Sequence, residues 1–295
     1  MEWRGVIPAI TTKFNDDLTV DHTFIAEHVK WQIDAGCTGI MALGSLGEGA
    51  TLTYEEKVAI LKTCVEAVGD RVPIVAGISA LSTAECVQLA KDAQAVGCKG
   101  LMVLPAYVYK GDWRETRAHF EAVFQATPLS CMLYNNPIAY GVDVLPEQVA
   151  ELAERNPNMH SVKESSADVR RVTAIKHLVG GRIAIFVGVD DIIVEALAAG
   201  AVGWIAGLVN AFPKESVDLY NLCMEGTYAE ADPIYKWFLP LLKLDVVPKF
   251  VHLIKLTQQE VGMGSERVRP PRLELVGEER EIALATIRKG IAERP

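Results

Sequence analysis

The stretch Ala35-Gly36-Cys37-Thr38-Gly39-Ile40 recurs as Val96-Gly97-Cys98-Lys99-Gly100-Leu101, and again as Ala199-Gly200-Ala201-Val202-Gly203-Trp204. Each copy follows a stretch with helical apolar spacing and precedes a short apolar run. The first glycine suits the left-handed residue that ends a helix, because it has no Cβ to clash at positive φ. The second reads as a tight turn into a strand. Helix, glycine and strand repeated in series is the pattern of βα units.

Working outward from these copies, eight short apolar runs read as strands. They lie near Val6–Ile10, Gly39–Ala42, Pro73–Gly77, Leu101–Leu104, Cys131–Asn135, His160–Lys163, Ile183–Gly188 and Gly203–Ile205. Helical patterns lie between them, for example Thr53–Val68 and Thr83–Val96; the first opens on Thr53-Tyr54-Glu55-Glu56, a capping box. Strands this short and apolar belong to parallel sheets covered by helices. Eight of them alternating with helices predict an α/β fold, a closed (β/α)8 TIM barrel rather than an open doubly wound sheet. Beyond a helix near Lys214–Met224, three more helical patterns follow at Tyr228–Leu242, Lys249–Val261 and Glu278–Ala292. The expected organisation is a barrel over residues 1–226 and a C-terminal extension of three helices over 227–295, packed on the barrel as one structural unit. The segment Gly262–Gly277, which carries Pro270 and Pro271, reads as an ordered loop.

Half of the 295 residues are apolar, enough for the core of one barrel domain. The net charge of −9 opposes nucleic-acid phosphates and anionic lipid, so neither nucleic acid nor membrane is expected as a partner. The longest nearly apolar run, Ala196 to Val209, is too short to span a bilayer. The cysteines at 37, 64, 86, 98, 131 and 223 form no CxxC pair and read as buried reduced thiols. With no signal-peptide layout in Met1-Glu2-Trp3-Arg4-Gly5, a cytoplasmic location is expected.

The active site of such a barrel lies at the C-terminal ends of its strands. There the sequence places Gly44-Ser45-Leu46-Gly47-Glu48-Gly49 after strand 2, Tyr107 after strand 4, Tyr134-Asn135-Asn136-Pro137 at strand 5, Val162-Lys163-Glu164-Ser165-Ser166 at strand 6 and Gly188-Val189-Asp190-Asp191 at strand 7. A lysine ending an apolar strand is costly unless paired, neutral or functional. At an ordinary lysine pKa of about 10.4, roughly one amine in 2,500 is neutral at pH 7, and burial raises that fraction and with it nucleophilicity toward carbonyl carbon. Lys163 therefore reads either as a nucleophile or as the ion-pair partner of Glu48 or Glu164. Tyr134, at the same level, reads as a proton relay or as a packed aromatic. The glycine-rich loop at Gly44–Gly49 offers backbone N–H groups to a carboxylate, and it lacks both the phosphate-loop and dinucleotide glycine patterns. The histidines at 22, 28, 119, 160, 177 and 252 are scattered, with no metal-ligand spacing, and no Gly-x-Ser-x-Gly elbow is present. Asp190-Asp191 could hold a metal or act as acid and base; the alternative is that Asp191 caps the next helix.

Taken in order, Gly44-Ser45-Leu46-Gly47-Glu48, Tyr134-Asn135-Asn136-Pro137, Val162-Lys163-Glu164-Ser165 and Gly188-Val189-Asp190-Asp191 resemble the dihydrodipicolinate synthase/N-acetylneuraminate lyase family from Gly5 to the final helix. The resemblance implies that Lys163 is the Schiff-base nucleophile, Tyr134 the proton shuttle and Ser45 a relay member that helps to hold the substrate carboxylate. It implies that Tyr107 reaches a neighbouring subunit's site within a homotetramer, a dimer of tight dimers. The substrate is expected against Leu46, Gly47, Ala139, Gly188 and Ile205. No cofactor and no metal is implied, because the lysine imine is itself the electron sink.

Two departures bear on substrate. The synthase's carboxylate-binding arginine, five residues after its tyrosine, is Ala139 here, and the loop's second hydroxyl is Leu46. A methyl group cannot replace a guanidinium in bidentate carboxylate binding. A finer resemblance, through Tyr134 to Tyr140, Lys163 to Ser166 with Val169-Arg170-Arg171, Gly203 to Pro213 and Val268 to Leu273, is to 1-pyrroline-4-hydroxy-2-carboxylate deaminases. It implies conversion of that cyclic imine to 2-oxoglutarate semialdehyde and ammonia, a step of hydroxyproline catabolism. The alternatives are a pyruvate-dependent aldolase or dihydrodipicolinate synthase-like enzyme, a metal-dependent barrel aldolase, and a catalytically silent binder of 2-oxo acids.

Overall fold

The computed structural model describes residues 1–295. Strands β1 (Gly5–Pro8), β2 (Ile40–Ala42), β3 (Ile74–Ile78), β4 (Gly100–Val103), β5 (Ser130–Asn135), β6 (Met159–Glu164), β7 (Ala184–Val187) and β8 (Gly203–Ala206) pair in parallel, in the order β1-β8-β7-β6-β5-β4-β3-β2. The ring closes between β1 and β2 through the Ala9–Met41 bridge, where Ile10 N–H donates to Met41 O at 2.9 Å. This is a (β/α)8 TIM barrel.

The helices on its outside are α1 (His22–Asp34), α2 (Tyr54–Val68), α3 (Thr83–Val96), α4 (Trp113–Phe124), a single turn α5 (Pro137–Tyr140), α6 (Pro146–Arg155), α7 (Arg170–Val179), α8 (Ile193–Ala199) and α9 (Pro213–Met224). Helix α2 starts at the Thr53 cap with both bonds of the capping box formed. In the repeated signature, Gly36, Gly97 and Gly200 all sit at φ 103–108°, the left-handed stop that the sequence implies. The second glycine plays a different part from the one expected. None of Gly39, Gly100 or Gly203 has positive φ; instead a Cβ on Gly203 would lie 2.3 Å from the Phe186 ring and one on Gly100 2.7 Å from Met1 Sδ. These glycines permit close packing at strand starts rather than a tight turn.

The three C-terminal helices are α10 (Tyr228–Leu242), α11 (Phe250–Glu260) and α12 (Gly277–Ala292). Helix α11 is tied to the barrel through buried polar groups. Thr11 Oγ1 donates to Gln258 Oε1 at 2.6 Å, and Lys255 Nζ donates to Thr12 O at 2.8 Å and to Glu48 Oε1 at 2.7 Å. The Gly262–Gly277 loop is ordered by bonds of its own: Glu266 N–H reaches Gln259 and the Arg269 guanidinium grips Glu56. No helix is long and apolar enough to cross a membrane. All six cysteines are buried free thiols.

Candidate active site

Parallel pairing sets Tyr134 of β5 beside Lys163 of β6, so their side chains leave the same face of the sheet. Both are buried, and Lys163 Nζ lies 4.3 Å from the centroid of the Tyr134 ring. The stem of Lys163 crosses Gly188, just after β7, where a Cβ would fall 2.2 Å from both Lys163 Cε and Ser165 Oγ. Only glycine leaves room for the amine to reach this position.

Neither carboxylate proposed as a partner takes the lysine. Glu48 is fully buried and pairs with Lys255, with Arg269 N–H donating to its second oxygen at 3.0 Å. Glu164 accepts from Asn135 Nδ2 at 3.1 Å and Ser166 N–H at 2.6 Å. The Lys163 amine makes no ion pair and no hydrogen bond inside the chain, so its nitrogen is free to approach a carbonyl carbon.

Tyr134 OH accepts from Asn136 Nδ2 at 2.9 Å. Its ring meets Tyr140 edge-on at a centroid distance of 5.8 Å, and Tyr140 in turn stands 5.7 Å from Tyr107. Ser45 Oγ shares a short hydrogen bond with Tyr140 OH. The structure thus brings Lys163, Tyr134, Ser45 and Tyr107 into one cluster, and Tyr140 is the link between them. In this single chain Tyr107 lies beside Tyr140 of its own barrel. Burial pushes the Tyr107 and Tyr140 hydroxyls up, and for Tyr140 the neighbouring tyrosines add to this, so both remain phenols at neutral pH.

The loop carrying Ser45 is bent by two non-glycine residues at positive φ, Leu43 (68°) and Glu48 (56°). Its Ser45, Leu46 and Gly47 N–H groups donate to no acceptor in the chain, while the Leu46 side chain turns into the core. Three free N–H groups in succession beside a hydroxyl suit a carboxylate. Gly47 is fixed against the segment that follows β1: Thr12 Oγ1 donates to its carbonyl, and a Cβ would meet Ile10 O at 2.9 Å. Ile205 is buried in β8 opposite Ile7. Ala139 is exposed on α5, and its N–H is taken by Asn136 Oδ1.

Asp191 does not cap α8. A 3₁₀ turn, Asp190–Ile192, intervenes, and no side chain caps the helix that follows. Asp190 instead folds inward, fully buried, and receives Trp204 Nε1 at 2.9 Å, Gly207 N–H at 3.1 Å and Leu208 N–H at 2.9 Å. Burial raises its carboxyl to about 6 against these donors. No three His, Cys, Asp or Glu side chains converge in metal-ligating geometry. Recesses of about 550 and 630 Å³ open beside Met1, Glu2 and Arg4 and contain none of these residues.

Sequence reasoning passed over Tyr140 and Ser165. Tyr140 ends the Tyr134 to Tyr140 stretch noted above, but a four-residue helix has no periodicity to reveal which side it presents. Ser165, whose Oγ is buried without a partner, stands two residues after Lys163, a spacing that returns a strand residue to the same face.

Comparison with known proteins gives the family. The chain matches the Dihydrodipicolinate synthetase family over residues 2–289. It is 30% identical to a 4-hydroxy-tetrahydrodipicolinate synthase of Agrobacterium fabrum over 282 residues, covering 96% of each chain. It is 36% identical to that of Geotalea uraniireducens over 242 residues, 82% of each. The structure of the 4-hydroxy-tetrahydrodipicolinate synthase from Methylacidiphilum fumariolicum superimposes with a TM-score of 0.93 at 28% identity, over 99% of this chain and 98% of that one. The chain belongs to the dihydrodipicolinate synthetase family of enzymes.

Proposed function

We propose that the chain is an imine-forming lyase in which Lys163 attacks C2 of a small 2-oxo acid or its cyclic imine. The observation that carries this is a buried lysine at a strand end with no ion-pair partner, set 4.3 Å from the Tyr134 ring and beside Ser45–Tyr140. The amine adds to C2, and water or the ring nitrogen leaves. The protonated imine then acidifies C3: its C–H pair becomes the C2=C3 bond, the C=N pair moves to nitrogen, and Tyr134, Tyr140 and Ser45 carry the proton away. The free N–H groups of Ser45, Leu46 and Gly47 hold the carboxylate.

At the level of substrate, the relatives' names support a pyruvate-dependent synthase or aldolase better than the pyrroline deaminase. The relatives named above all carry the synthase name. The deaminase is the second reading, favoured by Ala139: no guanidinium stands there to hold a second carboxylate. We also infer a homotetramer in which Tyr107 completes a partner's relay. Val108 and Tyr109, exposed next to it, are apolar surface that such a contact would cover. Parallel assays separate the substrates. Condensation of pyruvate with an aldehyde supports the first reading, ammonia release from 1-pyrroline-4-hydroxy-2-carboxylate supports the second, and inactivity toward both, with no adduct on Lys163, contradicts the imine mechanism.

A further inference from the structure

The C-terminal extension places one side chain at the mouth of the barrel that the mechanism above leaves unused. After α10 the chain makes a single 3₁₀ turn, Lys243–Asp245, which packs against the Asp190–Ile192 turn. Asp245 then lies against Gly207, immediately after β8. A Cβ on Gly207 would stand 2.0 Å from Asp245 Oδ1 and 2.8 Å from Oδ2. Gly207 N–H is already given to Asp190, and Asp245 Oδ1 is enclosed with no hydrogen-bond partner at all. An enclosed carboxyl oxygen without a partner is destabilising. Nothing in the chain relieves that cost, and a polar group on a bound molecule would.

We propose that Asp245 is a catalytic residue that engages the C4 hydroxyl of the substrate and protonates it as it departs as water. This rests on the imine reading at Lys163 and deepens its deaminase form. Lys163 is near enough to act on this carboxyl, while burial and then Asp190 raise Asp245 well above the usual carboxylate range, which favours its neutral form. A neutral carboxyl can donate, and a carboxylate cannot. In the step itself, loss of the C3 proton forms the C2=C3 bond of the enamine and returns a lone pair to nitrogen. That lone pair then restores C2=N, the former C2=C3 pair becomes C3=C4, and the C4–O bond breaks. The Asp245 proton joins the departing oxygen, water leaves, and solvent later reprotonates the carboxylate. Acid assistance of this kind contributes about 10²–10⁴-fold.

The test uses wild type, Asp245→Asn and Gly207→Ala, whose new methyl displaces the carboxyl. Each is given pyruvate, which has no C4, and 1-pyrroline-4-hydroxy-2-carboxylate. Borohydride adducts on Lys163 and exchange of pyruvate C3 hydrogen in D₂O report imine chemistry; semialdehyde and ammonia report water loss. We expect both variants to form the adduct and exchange C3 hydrogen, and to lose water elimination by about 100-fold or more. A wild type that eliminates water alongside an Asp245→Asn variant that keeps pace within about threefold overturns the role of Asp245 alone. A wild type that exchanges pyruvate hydrogen but never turns over the pyrroline overturns the deaminase reading, and this role with it.

Discussion

Replacing Lys255 with methionine removes one half of an ion pair that is almost wholly out of water. Lys255 is 1% and Glu48 0% exposed, at an Nζ–Oε1 distance of 2.7 Å. Burial draws the Lys255 ammonium below its ordinary range, and the Glu48 carboxylate pushes it back. Methionine fills a similar volume, so the cavity contribution is small. What remains is a buried carboxylate stripped of its cation, which costs about 3–5 kcal/mol, and a Thr12 carbonyl without its donor, which costs about 1 kcal/mol more. Glu48 keeps the Arg269 N–H at 3.0 Å and a distant Arg272 guanidinium at 3.8 Å, which hold the total near the lower half of that range. We expect about 4 kcal/mol, or a fall in Tm of about 6–7 °C for a chain of this size. Urea titration followed by tryptophan fluorescence measures it. Adding Glu48→Gln removes the stranded charge, so the double variant should be more stable than Lys255→Met by about 2 kcal/mol. Glu48 also bends the loop that carries Ser45, so kcat should fall in the single variant even where it is folded. A Lys255→Met protein within about 1 kcal/mol of wild type refutes the reasoning.

Three further outcomes follow from the geometry. Tyr140→Phe breaks the bond to Ser45 and should lower kcat by about 10–100-fold while leaving the Lys163 adduct obtainable; equal kcat removes Tyr140 from the relay. Gly188→Ala sets a methyl 2.2 Å from Lys163 Cε and should cut borohydride-trapped adduct by about tenfold or more with a stability loss of about 1–3 kcal/mol; undiminished trapping contradicts the placement of the lysine. His28 is fully buried, and burial lowers it from 6.5 to about 4. Its neutral form is the one the fold accommodates, so its contribution is intact above about pH 6.5 and is lost as pH falls toward 4, on the order of 3 kcal/mol. His28→Gln should therefore lose less stability than wild type between pH 7 and 4, and parallel curves would contradict this.

The barrel was legible because its signals are local. Three glycine stops, the Thr53 capping box and eight apolar runs each depend on residues a few positions apart, and the structure gives the repeat's first glycines one shared left-handed conformation. That Lys163, Tyr134 and Ser45 come together was legible because strand ends of a barrel converge. What stayed hidden depends on distance. Glu48 offered itself as a partner for Lys163, but its cation is Lys255, 207 residues away on α11. Asp245 sits in the C-terminal extension, in a 3₁₀ turn too short to show an apolar face. The Asp191 cap failed because a 3₁₀ turn separates the strand from α8, and composition does not distinguish that turn from a helix start. Deaminase chemistry rested on peripheral likeness, while relatives compared across most of the chain carry the synthase name.

The central claim is that the Lys163 nitrogen is the nucleophile. The most direct measurement is intact-mass spectrometry after borohydride reduction, with peptide mapping, on protein incubated separately with pyruvate and with 1-pyrroline-4-hydroxy-2-carboxylate. The account predicts one reduced adduct, on Lys163, abolished in Lys163→Ala together with turnover. An adduct on any other lysine, or a Lys163→Ala variant that retains full turnover, contradicts it.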